Sequence, residues 1–127
     1  MDKKILLIED DEQIRSMYQV AFEAQGFSCQ TAGDGIKGLE MVKNDKPDLI
    51  LLDIMMPNMD GMTVLGEIKK DPNLLSIPVI MLSNLSVQEG IDKAMALGAK
   101  DYINKSLVKP REVVEKVKTI LSPTTMA

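Results

Sequence analysis

The sequence predicts an α/β fold, a parallel β-sheet covered by helices on both faces. Three observations carry that reading. Five short apolar runs recur along the chain, each followed by a stretch of helical periodicity. Most of the runs are continuously apolar rather than alternating, as expected of parallel strands buried on both faces. At 127 residues, 45% hydrophobic and 27% charged, the chain also has the size and composition of one soluble domain with a single core.

Each element has its own signal. Ile5-Leu6-Leu7-Ile8 is the first strand. Ile14, Met17, Tyr18, Ala21 and Phe22 follow at i, i+3, i+4, i+7 and i+8, an amphipathic helix expected to end at Gly26. Phe27 to Ala32 is the second strand, less continuously apolar and so expected at an edge. Ile36, Leu39 and Val42 mark a helix stopped before Pro47, and Leu49-Ile50-Leu51-Leu52 is the third and most hydrophobic strand. A loop with Pro57 and Gly61 leads to a helix through Leu65 and Ile68 to Lys70. Val79-Ile80-Met81-Leu82 is the fourth strand. Ile91, Ala94 and Met95 mark the next helix, with Gly98 as its left-handed cap. Tyr102-Ile103 is the fifth strand. Val113, Val114, Val117, Ile120 and Leu121 form the closing helix, with Pro110 near its first turn. Five such alternations with right-handed crossovers point to a doubly wound, flavodoxin-like sheet of order 2-1-3-4-5 with five helices. One domain is expected over residues 1–122, with 123–127 a frayed C-terminal tail.

Composition excludes several classes of function. A net charge of −4 argues against direct binding to nucleic acid or an anionic membrane. No apolar run approaches the ~20 residues that span a bilayer, and the run after Met1 is too short for a secretory signal. The single cysteine, Cys29, cannot form an internal disulfide and suits a reducing compartment, so the cytoplasm is the expected location. There is no histidine, which removes imidazole as base, nucleophile or metal ligand.

In a sheet of this order, ligands bind outside the carboxyl ends of the strands, where the strand order reverses. The residues that follow the strands there are Glu9-Asp10, Asp53, Ser83 and Lys105. Alone, each is ordinary: the acids after strand one favour a helix N-terminus, Asp53 and Ser83 suit turns, and Lys105 suits a surface. Together they differ. Three carboxylates at one edge repel one another unless a cation or proton is supplied. Oxygen ligands without His or Cys point to a hard cation, for which Mg²⁺ is the expected choice. With Lys105 beside them, the set suits a carboxylate nucleophile attacking a phosphoryl group.

Four blocks carry a further resemblance: Ile5 to Asp11, Leu51 to Gly61, Val79 to Ser83, and Asp101 to Lys105. In this order they resemble the signature blocks of two-component response-regulator receiver domains, of the single-domain chemotaxis type, from about Lys3 to Leu121. The resemblance implies a phosphorylation-dependent signalling switch in a phosphorelay. Asp53 would be the phosphoacceptor. Asp10, Asp53 and the backbone carbonyl of Met55 would ligate Mg²⁺, and Glu9 would act through a metal-bound water. Lys105 would pair with Asp53 and then with the phosphoryl group. Ser83 would bond a phosphoryl oxygen, and Tyr102 would be the aromatic switch. The donor would be a sensor histidine kinase or histidine phosphotransfer protein. A downstream protein would read the face built from the fourth helix, fifth strand and fifth helix.

The chain would catalyse only its own phosphorylation and dephosphorylation. A phosphohydrolase of the aspartyl-phosphate type would want an acid two residues after the nucleophile, where Met55 stands. A flavin carrier on this fold would want a Ser/Thr/Gly-rich loop after strand one, where acids stand. The chain could equally be the receiver part of a larger DNA-binding regulator. It departs from the family in three places: Ser106 follows Lys105 where proline is usual, Asn84 follows the switch hydroxyl where Ala or Gly is usual, and Leu107 replaces an aromatic. A cis bond before a residue other than proline costs roughly 3 kcal/mol, so Lys105-Ser106 is expected to be trans.

Overall fold

A computed structural model describes residues 3–84 and 88–121. Along the chain run β1 (Lys4–Ile8), α1 (Glu12–Glu23), β2 (Ser28–Ala32), α2 (Gly35–Asp45), β3 (Leu49–Leu52), α3 (Gly61–Lys69), β4 (Val79–Ser83), α4 (Gln88–Leu97), β5 (Asp101–Asn104) and α5 (Pro110–Leu121). The strands form one five-stranded sheet in the order β2-β1-β3-β4-β5, and every pairing is parallel. The anticipated tail lies outside the described residues.

The pleat divides the core in two. Leu6, Ile8, Ile50, Leu52, Val79 and Met81 face α2, α3 and α4, meeting Leu39, Val42, Leu65, Ile68 and Ala94. The intervening Ile5, Leu7, Leu49, Leu51, Ile80 and Leu82 face α1 and α5, meeting Tyr18, Phe22, Val113, Val114 and Val117. Every residue of β3 is buried, which is why its sequence is uniformly apolar. At the β2 edge, burial drops to an interrupted pattern.

Helix ends follow local chemistry. Asp11 caps α1, its Oδ1 accepting from the backbone N–H groups of Gln13 at 2.8 Å and Ile14 at 3.1 Å. Asp34 and Asp60 cap α2 and α3 in the same way. Pro110 opens α5, and the Glu112 carboxylate reaches back to accept from the Lys109 N–H at 2.7 Å. Gly98 has φ +109° just after α4, as its sequence position implies.

Some details differ from the sequence reading. Helix α1 ends at Glu23 rather than running to Gly26, whose φ of +90° instead turns the chain into β2. Phe27 stands outside β2 and packs edge-on against Phe22, with ring centroids 5.5 Å apart. Met17, Ile36 and Met95, taken as core-facing, are 51%, 55% and 44% exposed. Each belongs to a helix that covers the sheet with a narrower stripe than its apolar residues describe. Ile36 sits in the first turn of α2, whose buried residues are Gly35, Gly38, Leu39 and Val42.

Candidate functional site

Strand register builds the site. Ile8 pairs with both Ala32 and Leu52, so Glu9 and Asp53 leave neighbouring strands at the same level. Two ladder hydrogen bonds continue past the strand ends: the Asp53 N–H donates to the Ile8 carbonyl and the Glu9 N–H to the Ala32 carbonyl, both at 3.0 Å. At the far side the Lys105 N–H donates to the Ser83 carbonyl at 2.9 Å, carrying β5 to the same edge.

Glu9, Asp53 and Ser83 are the buried polar or charged residues among those described, at 1%, 6% and 1% exposure. Asp10 is exposed. Glu9, Asp10 and Asp53 each offer a carboxylate oxygen, all within 4.8 Å of one another. The Lys105 ammonium donates to Glu9 Oε1 and stands 3.3 Å from Asp53 Oδ2. The second Glu9 oxygen accepts from the Asp11 N–H at 3.0 Å. A cavity of about 240 Å³ opens over the group. It is lined by every predicted phosphoryl or metal residue, namely Glu9, Asp10, Asp53, Met55, Ser83 and Lys105, together with Asn84.

The electrostatics follow from this packing. Burial pushes the Glu9 and Asp53 carboxyls above their ordinary values, more than the nearby Lys105 ammonium lowers them. Burial also opposes the charge on Lys105. There the hydrogen bond to Glu9 and the charges of Asp53 and Glu9 prevail, holding the ammonium above the usual lysine range. The carboxyls therefore favour a proton or a cation, while the ammonium stays charged.

Tyr102 lies apart from the cavity. It pairs with Met81 in the sheet and packs half-buried against the cluster under α3 and α4. Ser83 is two residues beyond Met81 on the same face of β4, so hydroxyl and ring share one side of the sheet. The Lys105-Ser106 peptide is trans, as expected. Asn104 shapes the turn there, its Oδ1 accepting from the Ser106 N–H at 2.9 Å and Oγ at 2.6 Å.

Two supporting residues escaped the sequence reading. The Arg15 guanidinium donates to the carbonyls of Glu9 at 2.8 Å and Asp10 at 3.1 Å, holding the acidic turn from α1. Its signal was its place one helical turn after the Asp11 cap, on the side facing that loop. Gly61 lets the start of α3 pass beside Asp53: a Cβ there would lie 2.0 Å from the Asp53 carbonyl oxygen. Nothing in the sequence marks so close an approach beyond the glycine itself.

Comparison with known proteins agrees with this architecture. Residues 5–118 match the family described as the response regulator receiver domain. The chain is 40% identical over 123 residues to the alkaline phosphatase synthesis transcriptional regulatory protein PhoP of Bacillus subtilis, covering 95% of this chain and 49% of that protein. It is 36% identical to the phosphate regulon transcriptional regulatory protein PhoB of Pseudomonas aeruginosa, covering 96% and 53%. The chain thus spans about half the length of these curated relatives. Among solved structures, a CheY-like receiver domain protein from Methanospirillum hungatei superposes with a TM-score of 0.88 at 30% identity, over 95% of this chain and 94% of that one. The phosphorylated cyanobacterial phytochrome response regulator RcpA superposes at 0.85 and 30% identity, over 99% and 98%. The chain belongs to the response regulator receiver domain family, the receiver part of two-component response regulators.

Proposed function

We propose that Asp53 accepts the phosphoryl group and that the switch works through Ser83 and Tyr102. The observation that carries this is the placing of the Asp53 carboxylate within 4.8 Å of oxygens from Glu9 and Asp10, with the Lys105 ammonium 3.3 Å away. A carboxylate oxygen of Asp53 attacks phosphorus as the bond from phosphorus to the donor's nitrogen or oxygen breaks, and the donor leaves with that electron pair. Lys105 then follows the charge onto the phosphoryl oxygens, and the Ser83 hydroxyl donates to one of them. Transfer through a loose transition state asks chiefly for such positioning and neutralisation.

The donor set suits Mg²⁺. It is all oxygen, and its exposed member, Asp10, leaves room for the waters that this ion retains. Asp10, Asp53 and the Met55 carbonyl would hold the ion, with Glu9 acting through a bound water. The ion would supply charge neutralisation for the incoming phosphoryl oxygens. The chain would act only on its own phosphorylation state, since Met55 occupies the position where a phosphohydrolase needs an acid. Acetyl phosphate with Mg²⁺ should add one phosphoryl mass to the protein and none to Asp53→Asn; phosphate gained by that variant would overturn the assignment.

For partners we infer a histidine kinase or phosphotransfer protein as donor and a downstream protein that reads the α4–β5–α5 face. The relatives named as transcriptional regulators, about twice this length, support a second reading, in which the chain is the receiver part of a longer regulator. In that reading the acidic receiver controls a separate DNA-binding part and does not itself touch DNA. Among the described residues no helix is long and apolar enough to cross a membrane; a cytoplasmic location accords with a phosphorelay.

A further inference from the structure

Beside the phosphorylation site lies a second cavity of about 250 Å³, between α1 and the segment joining β5 to α5. The two cavities share Ile14, Asn84 and Lys105, so they are contiguous. The second differs in character. Ile14, Met17 and Val108 give it apolar walls, and Lys109 adds a second ammonium-bearing side chain to its rim. Tyr18 also lines it, although the residue is only 3% exposed. The Tyr18 hydroxyl donates to none of the described residues, yet no buried polar side-chain atom among them is sealed without a partner. The hydroxyl is therefore open to this cavity. Burial, with the charge of Glu9 nearby, pushes its pKa up to about 12, so it remains a protonated donor at neutral pH.

An apolar body flanked by a hydroxyl donor and a cation is complementary to a small aliphatic carboxylate. Its neighbour is a carboxylate nucleophile. We propose that this cavity is a leaving-group subsite, receiving the acyl part of a small acyl phosphate while the phosphoryl group sits at Asp53. The inference rests on Asp53 being the phosphoacceptor. In the step, an Asp53 oxygen forms a bond to phosphorus and the bond from phosphorus to the acyl oxygen breaks. Its electron pair leaves on a carboxylate and no proton moves. The Tyr18 O–H and the Lys109 ammonium, which line the second cavity, meet the charge that the leaving carboxylate delocalises onto its other oxygen. Ile14, Met17 and Val108 cover the aliphatic chain, which makes acyl groups longer than acetyl the favoured class.

The test compares initial rates of Asp53 phosphorylation by acetyl phosphate, butyryl phosphate and phosphoramidate, whose ammonia leaving group has neither apolar body nor charge. Butyryl phosphate should exceed acetyl phosphate by about tenfold, the order expected for covering two further methylenes. Tyr18→Phe and Met17→Glu should each bring that ratio close to one; Met17 is half-exposed, so its variant stands if the other fails to fold. Butyrate alone, titrated into the unphosphorylated protein, should shift the NMR methyl signals of Ile14, Met17 and Val108. Equal rates for the two acyl phosphates, or no methyl shifts with butyrate, would overturn the subsite while leaving Asp53 phosphorylation intact. Failure of all three donors to modify Asp53 would instead sink the phosphoacceptor reading, and with it this one.

Discussion

Lys105 bridges Glu9 and Asp53: its ammonium donates to Glu9 Oε1 and also stands 3.3 Å from Asp53 Oδ2. The ammonium is thus shared between a carboxylate assigned to a metal-bound water and the one assigned to phosphate. All three side chains are at least nine-tenths buried, so the bridge operates with little screening by solvent.

A first consequence is an unusual dependence on pH. Glu9 and Asp53 titrate above their ordinary values in the folded chain, so the native state binds protons more tightly than the unfolded one. Stability then falls as pH rises through the window from the ordinary carboxylate values to the raised ones. Urea unfolding without divalent ions should show higher stability at the acid end of this window than at neutral pH, and Mg²⁺ should remove the difference. Lys105, also raised, contributes stability that is present at neutral pH and lost only as alkali passes its folded value. Lys105→Met should cost about 3 kcal/mol or more at neutral pH, because it leaves buried charge without a partner, and less toward acid pH. A flat profile in this variant would refute the coupling.

Asp10 and Asp11 are neighbours with different work. Asp10 belongs to the oxygen cluster, whereas Asp11 is the cap of α1. Asp10→Ala should weaken Mg²⁺ binding sharply with little effect on folding. Asp11→Ala should lower stability by about 1 kcal/mol and leave Mg²⁺ affinity nearly unchanged. Calorimetric titration together with urea unfolding separates the two; equal losses of affinity would move the ligand assignment.

Ser83 and Tyr102 share one face of the sheet, and the proposed coupling of site to surface runs through them. A charge-assisted hydrogen bond from the Ser83 hydroxyl to a phosphoryl oxygen is worth roughly 1.5–3 kcal/mol, enough to move a near-balanced equilibrium about tenfold or more. Ser83→Ala should still accept phosphate on Asp53 but fail to shift the backbone NMR signals around Tyr102 when a phosphoryl mimic is added. Wild-type shifts in this variant would remove Ser83 from the coupling.

Gly61 is held to glycine by contact. With a Cβ only 2.0 Å from the Asp53 carbonyl oxygen, Gly61→Ala must push α3 or the Asp53 backbone aside. The expected cost is about 1–3 kcal/mol, with slower phosphorylation as well. Gly66, whose Cβ would meet nothing within 4 Å, serves as the control. Equal tolerance of alanine at both positions would contradict the close approach.

The sheet order, and the meeting of Glu9, Asp10, Asp53, Ser83 and Lys105 at one edge, were legible because both follow from the order of residues along the strands. A run such as Leu49 to Leu52 has no stable place except a strand buried on both faces, and whatever follows it must emerge at the carboxyl edge. Side-chain exposure on the helices was less legible. Met17, Ile36 and Met95 have the right spacing, but only tertiary packing decides how wide a stripe the sheet covers. Arg15 and Gly61 were missed for another reason: their roles lie in contacts with backbone carbonyls, at which only the spacing of Arg15 from the Asp11 cap hints. The partnership of Lys105 with Glu9, 96 residues away, was missed likewise, because Asp53 offered an equally good countercharge.

That separation has a bearing on how the chain reaches its native state. Both β1 and β3 precede Lys105 in the chain, so if they pair before β5 docks, Glu9 would stand beside Asp53 without the ammonium. In that order the central ladder would form against an electrostatic penalty that β5 relieves on docking. The loop closures involved are long, so the entropy for this last contact is spent before any charge compensation is gained. A partly made chain lacking β5 should consequently hold its first three strands loosely unless a divalent ion stands in for the missing ammonium. In that case the acids at the sheet edge would make the strand that carries Lys105 toward them the one that closes the fold.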